Sequence, residues 1–283
     1  MKNHFRLFLA TVTLMAMIES VVAQDHGHLN VGAVGTNQND QLTFDNRDIF
    51  DITTNYVNTL TLAVSGTYAG YYQGNNQGNI TLTALAATEA HLGPKPNAPA
   101  LGSRIFAQLV SVDGPADGAF AFWETGATSP TISLVSGTNG TNTFRLSEND
   151  GSPGSDPYGH IHGRRFTATK PGIYTVGFRA FDFSTNGIGG GPIHTPSSVI
   201  KIYFQAGVTM KSVEPDAGQT RVAFGAQAGF LWQLQAVNAF PAGTNWQAVG
   251  DPILGDDYFH EVEDDQAMEV QRYYRVEGAP YVP

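Results

Sequence analysis

The chain has 283 residues, no cysteine and a formal net charge of −10, with 25 acidic side chains against 15 Lys and Arg. A chain this acidic is a poor partner for nucleic acid or for an anionic membrane surface. Without cysteine there is no disulfide framework, so a packed core alone must hold the fold.

Lys2 and Arg6 precede an apolar run from Leu7 to Ile18, and Val21-Val22-Ala23 supplies small residues for cleavage. This is the pattern of a secretory signal peptide over residues 1–23, cut after Ala23. The run is short for a bilayer span, and no second run of membrane length follows. The mature chain is therefore expected to lack a transmembrane segment and to work outside the cytoplasm, in a bacterial envelope or beyond it. The closing stretch, Gly278 to Pro283, carries no anchor or sorting pattern.

Beyond the leader, short bursts of β-branched and aromatic residues alternate with clusters of Gly, Asn, Ser, Thr and Pro. That pattern predicts an all-β chain of sandwich or barrel type. Strands are expected at His28–Val34, Gln41–Phe44, Thr59–Val64, Thr67–Tyr72, Asn79–Leu85, Arg104–Val112, Ala119–Glu124, Thr131–Val135, Thr143–Leu146, Arg165–Ala168, Gly172–Asp182 and Val199–Gln205. No long amphipathic helix is evident; Glu89–Leu101 and Thr185–Pro196 read as loops. A boundary falls near Ala206-Gly207-Val208, after which shorter strands resume at Val208–Val213, Thr220–Phe224, Leu231–Val237, Trp246–Val249, Tyr258–Val262 and Arg272–Val276. The expected organisation is a β-sandwich domain over 24–206 and a smaller accessory β-sandwich over 207–283. Trp232 and Trp246 are the expected core anchors of the second, with the acids from Asp256 to Glu269 on a solvated surface.

The densest chemistry lies between Asp156 and Asp182. Lys170-Pro171-Gly172-Ile173 has the Pro and Gly of a type II turn. After it, Tyr174, Val176, Phe178 and Ala180 alternate with smaller or polar residues, a strand with one apolar face. Arg165–Ala168 reads as its hairpin partner. His160 and His162 enter that strand two residues apart, on one side of an extended chain, and Gly163 marks a bend or bulge. Arg164 and Arg165 are expected to pair with acids such as Asp156 or Asp182.

Three groups of residues carry a resemblance. His28-Leu-Asn-Val-Gly32, Val110-Ser-Val-Asp-Gly-Pro115 with Phe120-Ala-Phe-Trp-Glu124, and Gly159-His160-Ile-His162 through Phe166-Thr-Ala-Thr-Lys-Pro-Gly-Ile-Tyr174 resemble the opening, middle and closing signatures of one family. It is the choice-of-anchor M domain, or actinobacterial-type surface-anchored protein domain, and the likeness covers roughly residues 26–206. The resemblance implies a secreted or surface-attached all-β domain, associated in some members with metal-uptake transporters. Asn30 stands where the family often has Asp. The tail, ending in Tyr273-Tyr274-Arg275-Val276, resembles the small C-terminal β-domain of secreted Verrucomicrobia-type proteins and implies an accessory fold.

Five histidines fall in three short motifs: His26-Gly-His28, His160-Ile-His162 and the Pro192-Ile-His194 segment. If the opening and closing strands meet, His28, His160 and His162 form a three-histidine site for zinc or copper, with His194 or water as a further ligand. The competing reading leaves these rings capping turns or lying on a polar sheet face. Glu148 to Asp156 does not match the ligand spacing of an EF-hand and reads as a turn-rich loop. Tyr68, Tyr71, Tyr72 and Trp123 offer an alternative function, a carbohydrate-binding or adhesive platform. No nucleophile elbow, phosphate loop or His-Glu-x-x-His motif is present, so a non-catalytic protein is expected. Its expected partner is an envelope component or a metal-uptake system.

Overall fold

The computed structural model describes residues 27–74, 80–89, 93–161, 163–216, 218–239, 245–266 and 271–282. The expected leader, His26, His91 and His162 lie outside the described residues. The fold is all-β. In chain order the first unit holds β1 (His28–Ala33), β2 (Leu42–Phe44), β3 (Val57–Leu62), β4 (Tyr72–Gln73), β5 (Thr81–Ala84), β6 (Ile105–Asp113) and β7 (Ala119–Trp123). It continues with β8 (Ile132–Val135), β9 (Thr138–Asn139), β10 (Thr143–Arg145), β11 (Gly159–His160), β12 (Arg165–Ala168), β13 (Gly172–Asp182) and β14 (Ile200–Ala206). The second unit holds β15 (Met210–Asp216), β16 (Gln219–Ala226), β17 (Phe230–Val237), β18 (Gln247–Leu254), β19 (Tyr258–Asp264) and β20 (Tyr273–Pro280). Among the described residues, helix is confined to one turn, α1 (Arg47–Phe50), and two 3₁₀ turns.

Ten strands make one rolled sheet, in the order β10-β6-β13-β14-β3-β4-β12-β7-β8 with β9 on β6. Its curl brings rings from distant strands together inside. Phe122 of β7 stacks on Phe144 of β10 at 4.0 Å, Phe120 meets Phe204 of β14 at 4.7 Å, and Phe166 of β12 meets Phe178 of β13 at 5.5 Å. A four-stranded sheet, β11-β5-β1-β2, lays Leu29, Val31, Leu42, Phe44 and Leu82 into the same core.

The expected hairpin between β12 and β13 does not form. β12 pairs with β4 and β7, whereas β13 pairs with β6 and β14. Lys170-Pro171-Gly172 carries the chain from one wall of the roll to the other. The Tyr174 hydroxyl fixes that crossing by donating to the Lys170 carbonyl at 3.0 Å and accepting the Lys170 N–H at 3.3 Å. This is the tyrosine-corner device of Greek-key sandwiches, which turns a chain between sheets. Pattern predicts the strands; their pairing brings aromatic rings from both walls together inside the roll.

The second unit is a pair of three-stranded sheets, β15-β16-β19 and β18-β17-β20, around a separate core of Val222, Phe224, Ala226, Trp232, Leu234, Ala236 and Val249. Trp232 is buried there as expected. Trp246 is only half-buried and lies beneath the Arg275 guanidinium at 4.7 Å, so it is not a core anchor. The acidic stretch is not wholly solvated either. Asp264 is 2% exposed, pairs with Arg272, and accepts from the Tyr274 hydroxyl at 3.0 Å and the Gln266 N–H at 3.2 Å. Burial pushes its pKa up, but the hydrogen bonds from Arg272, Gln266 and Tyr274 outweigh burial and hold it below the usual carboxylate value. The units meet along a backbone seam. Val57 N–H donates to the Asp257 carbonyl at 2.9 Å and Phe259 N–H to the Asn55 carbonyl at 3.0 Å, beside the buried Gln205, which accepts from Gly225 N–H at 3.2 Å.

Phe166 touches rings from β7, β10, β13 and β14, so Phe166→Ala is expected to cost about 3–5 kcal/mol in urea unfolding, within the range for large-to-small changes at full burial. A loss under 1 kcal/mol would mean that the roll does not depend on this ring cluster.

Candidate functional site

The outer face of the four-stranded sheet carries the site. β5 is its pivot, hydrogen-bonded on one edge to β1 in parallel and on the other to β11 in antiparallel. Asn30, Thr83 and His160 form one rung across the three strands, and His28 sits opposite Thr81 one rung away. Residues directly paired, and residues two apart on a strand, share a face. Leu29, Val31 and Leu82 point to the core, so His28, Asn30, Thr83 and His160 point outward together. Thr83 stands between the imidazoles. Its hydroxyl lies 3.0 Å from His28 Nδ1, and His160 flanks it on the next strand.

Side chains from outside the sheet hold these strands in place. The Asn46 amide donates to the His28 carbonyl and its oxygen accepts the Asn30 N–H at 2.9 Å, which fixes the start of β1. Asp156 does the same for β11. Its carboxylate accepts the N–H groups of Ala87, Thr88 and Tyr158 at 3.1, 3.0 and 3.0 Å, and also the Thr88 hydroxyl. Burial raises its pKa, but those hydrogen bonds outweigh burial and hold it below the usual value. Gly159 lets β11 lie against the chain at Leu146–Glu148, since a Cβ there would sit 2.0 Å from the Leu146 carbonyl oxygen. That approach places the Glu148 carboxylate 3.5 Å from His160 Nδ1, with the Tyr158 ring 5.5 Å from the imidazole. Gly163, at φ +74°, then bends the chain toward β12.

A cavity of about 300 Å³ opens over this face, lined by His28, Asn30, Thr83, Leu85, Ala86, Lys95 and Tyr158. A second, of about 470 Å³, shares His28 and Asn30 and runs to Asp256, Asp257 and Tyr258 of the second unit. Imidazole beside carboxylate is a donor set that zinc and copper accept. Among the described residues no three His, Asp or Glu side chains are grouped closely enough to enclose an ion. His162 lies outside the described residues.

His194 does not join the other two. It lies by the far end of β1, next to the segment that pairs with Gln41. It is 1% exposed, and both ring nitrogens are committed: Nε2 accepts the Ala100 N–H at 2.9 Å, and Nδ1 lies 2.9 Å from the Asp40 carbonyl. Those partners require the neutral ring with its proton on Nδ1, a packing role with no nitrogen left for a metal. Arg164 pairs with an acid as expected, though with Glu124 at 2.6 Å rather than Asp156 or Asp182, and Arg165 sits over the Tyr68 ring at 5.8 Å. Asp182 instead accepts the N–H groups of Arg104, Ile193, His194 and Ser184. The aromatic platform is closed at its centre. Trp123 is 1% exposed, its indole N–H donates to Thr167 at 2.9 Å, and the Tyr68 and Tyr71 rings pack against it at 5.1 and 5.3 Å. Asp156 and Glu148 are the site residues that sequence reasoning assigned to other roles. The signal was their place just before His160, in a loop already rich in acids.

No protein-family model, curated protein or solved structure matches this chain.

Asp156→Asn is expected to lower stability by roughly 1–3 kcal/mol at neutral pH, because a charged acceptor for four donors is lost. Its depressed pKa fixes the sign of the pH dependence. The stabilisation is complete above the ordinary carboxylate pKa of about 3.9 and is lost as pH falls through the lower folded value. Melting curves from pH 7 down to pH 2 should show the wild type losing its advantage over the variant across that window; parallel curves would contradict this role.

Proposed function

We propose that this is an exported, non-catalytic protein of the bacterial envelope or its surroundings that holds a transition-metal ion, zinc or copper, at His28 and His160. The observation that carries the reading is the shared outward face of the two imidazoles on either side of Thr83. The Thr83 contact orients the His28 ring through Nδ1, so a bond to metal would be made through Nε2. Glu148, close to His160 Nδ1, plays the same orienting part on the other ring. Two imidazoles leave the remaining positions of the ion to water or to a partner's ligand. Such an open site suits handing an ion on better than a structural role.

The resemblance of the His28, Val110–Glu124 and Gly159–Tyr174 segments to the choice-of-anchor M domain supports the envelope placement and a metal-uptake system as partner. Trp123 is sealed, so the structure offers no support for carbohydrate binding at the Tyr68–Trp123 cluster.

Calorimetric titration of the mature, tag-free protein with zinc and with copper tests the proposal. One equivalent should bind, and His28→Ala and His160→Ala should each abolish most of the heat. Thr83→Val, which removes only the orienting hydroxyl, should weaken affinity by roughly 10–100-fold with the fold intact. Wild-type heat no greater than that of the His28→Ala/His160→Ala double variant would end the metal reading.

A further inference from the structure

Five of the nine arginines among the described residues meet a carboxylate. Arg47, Arg164, Arg221, Arg272 and Arg275 each lie within 4.0 Å of one. Three on the outside of the rolled sheet do not. Among the described residues, no carboxylate lies within that distance of Arg104, Arg145 or Arg179. The Nε groups of Arg104 and Arg179 are buried without a hydrogen-bond acceptor there. Asp150 feels the charge of Arg104, but its carboxylate is held by the Ser152 hydroxyl and N–H.

The three arginines share one face with three aromatic rings. Arg145, Phe106 and Phe181 form a rung across β10, β6 and β13, and Arg179 lies one rung along, opposite Gln108. Their neighbours Phe144, Ala107 and Ala180 are buried, so this rung points to solvent. Phe183 follows β13, is 50% exposed, and packs its ring 4.8 Å from Phe106 and 6.1 Å from Phe181. Arg104 lies over the Phe106 ring at 5.4 Å. A half-exposed aromatic cluster rimmed by guanidinium groups without a carboxylate partner, on a protein of net charge −10, calls for a ligand that is anionic and has flat apolar faces.

We propose that this face binds an acidic polysaccharide, a polymer of uronate rings. Guanidinium forks take carboxylates bidentately, and the C–H faces of pyranose rings stack on exposed phenyl groups. Strands about 4.8 Å apart, with same-face residues about 6.8 Å apart along each, space the cations over distances comparable to one charge per sugar ring. Nucleic acid fits less well. Its affinity rests on neutralising many closely spaced phosphates, and three cations on an acidic body cannot supply that. The face shares no residue with the histidine site.

Affinity electrophoresis of the mature protein through gels containing polygalacturonate tests the proposal, with dextran as neutral control and an oligothymidylate titration alongside. Polygalacturonate should retard the protein and dextran should not, and added salt should weaken the retardation. Arg145→Ser/Arg179→Ser should weaken binding about tenfold or more, while His160→Ala leaves it unchanged. Arg145→Ser alone, at an exposed position, should still weaken binding if the double variant fails to fold. The proposal is overturned by no retardation, equal retardation in dextran, unchanged binding by folded arginine variants, or preference for the oligonucleotide.

Discussion

Everything proposed for the histidine face depends on β5 being paired on both edges. A strand of four residues, all buried, has no stability of its own; it exists because β1 and β11 hydrogen-bond to it from either side. Side-chain parity in a sheet is rigid. A slip of one residue in either pairing would turn His28 or His160 into the core and Leu29 or Ile161 to the outside. The apolar partners of the alternation therefore fix the imidazoles on the outer face. Asn46 and Asp156 fix the ends of the flanking strands, since neither edge is long enough to set its own register.

What the sequence made legible was periodicity. β13 is a clear case: Tyr174, Val176, Phe178 and Ala180 alternate into the core over eleven residues, so its extent follows from pattern. Partner choice was not legible. The Lys170-Pro171-Gly172 turn has the residues of a hairpin, yet the strands on either side of it lie in different walls of the roll, where Phe166 and Phe178 meet across the core at 5.5 Å. His194 shows the same limit on a smaller scale. A Pro-Ile-His motif looks like those of the candidate ligands, and only the fold reveals that an N–H from Ala100 occupies its Nε2. Trp246 and Trp232 are identical as residues, and only burial separates a core ring from one that carries an arginine. His28 and His160, by contrast, were joined by the simple argument that opening and closing strands meet. They do meet, through a third strand, β5, that lies between them.

The protein has two faces of opposite character. The outer side of the small sheet gathers imidazole, hydroxyl, amide and carboxylate groups near the second unit. The outer side of β10, β6 and β13 gathers rings and guanidinium groups without a carboxylate partner. On the two proposals together, one face would rest on an acidic matrix while the other meets metal. The strongly acidic remainder would keep the chain from binding polyanions indiscriminately.

The most direct measurement is X-ray absorption at the zinc edge of protein loaded with one equivalent of zinc. The account predicts the outer-shell scattering of two imidazoles, reduced to one or fewer in both His28→Ala and His160→Ala. A spectrum with oxygen ligands alone, or one unchanged by both substitutions, would contradict it.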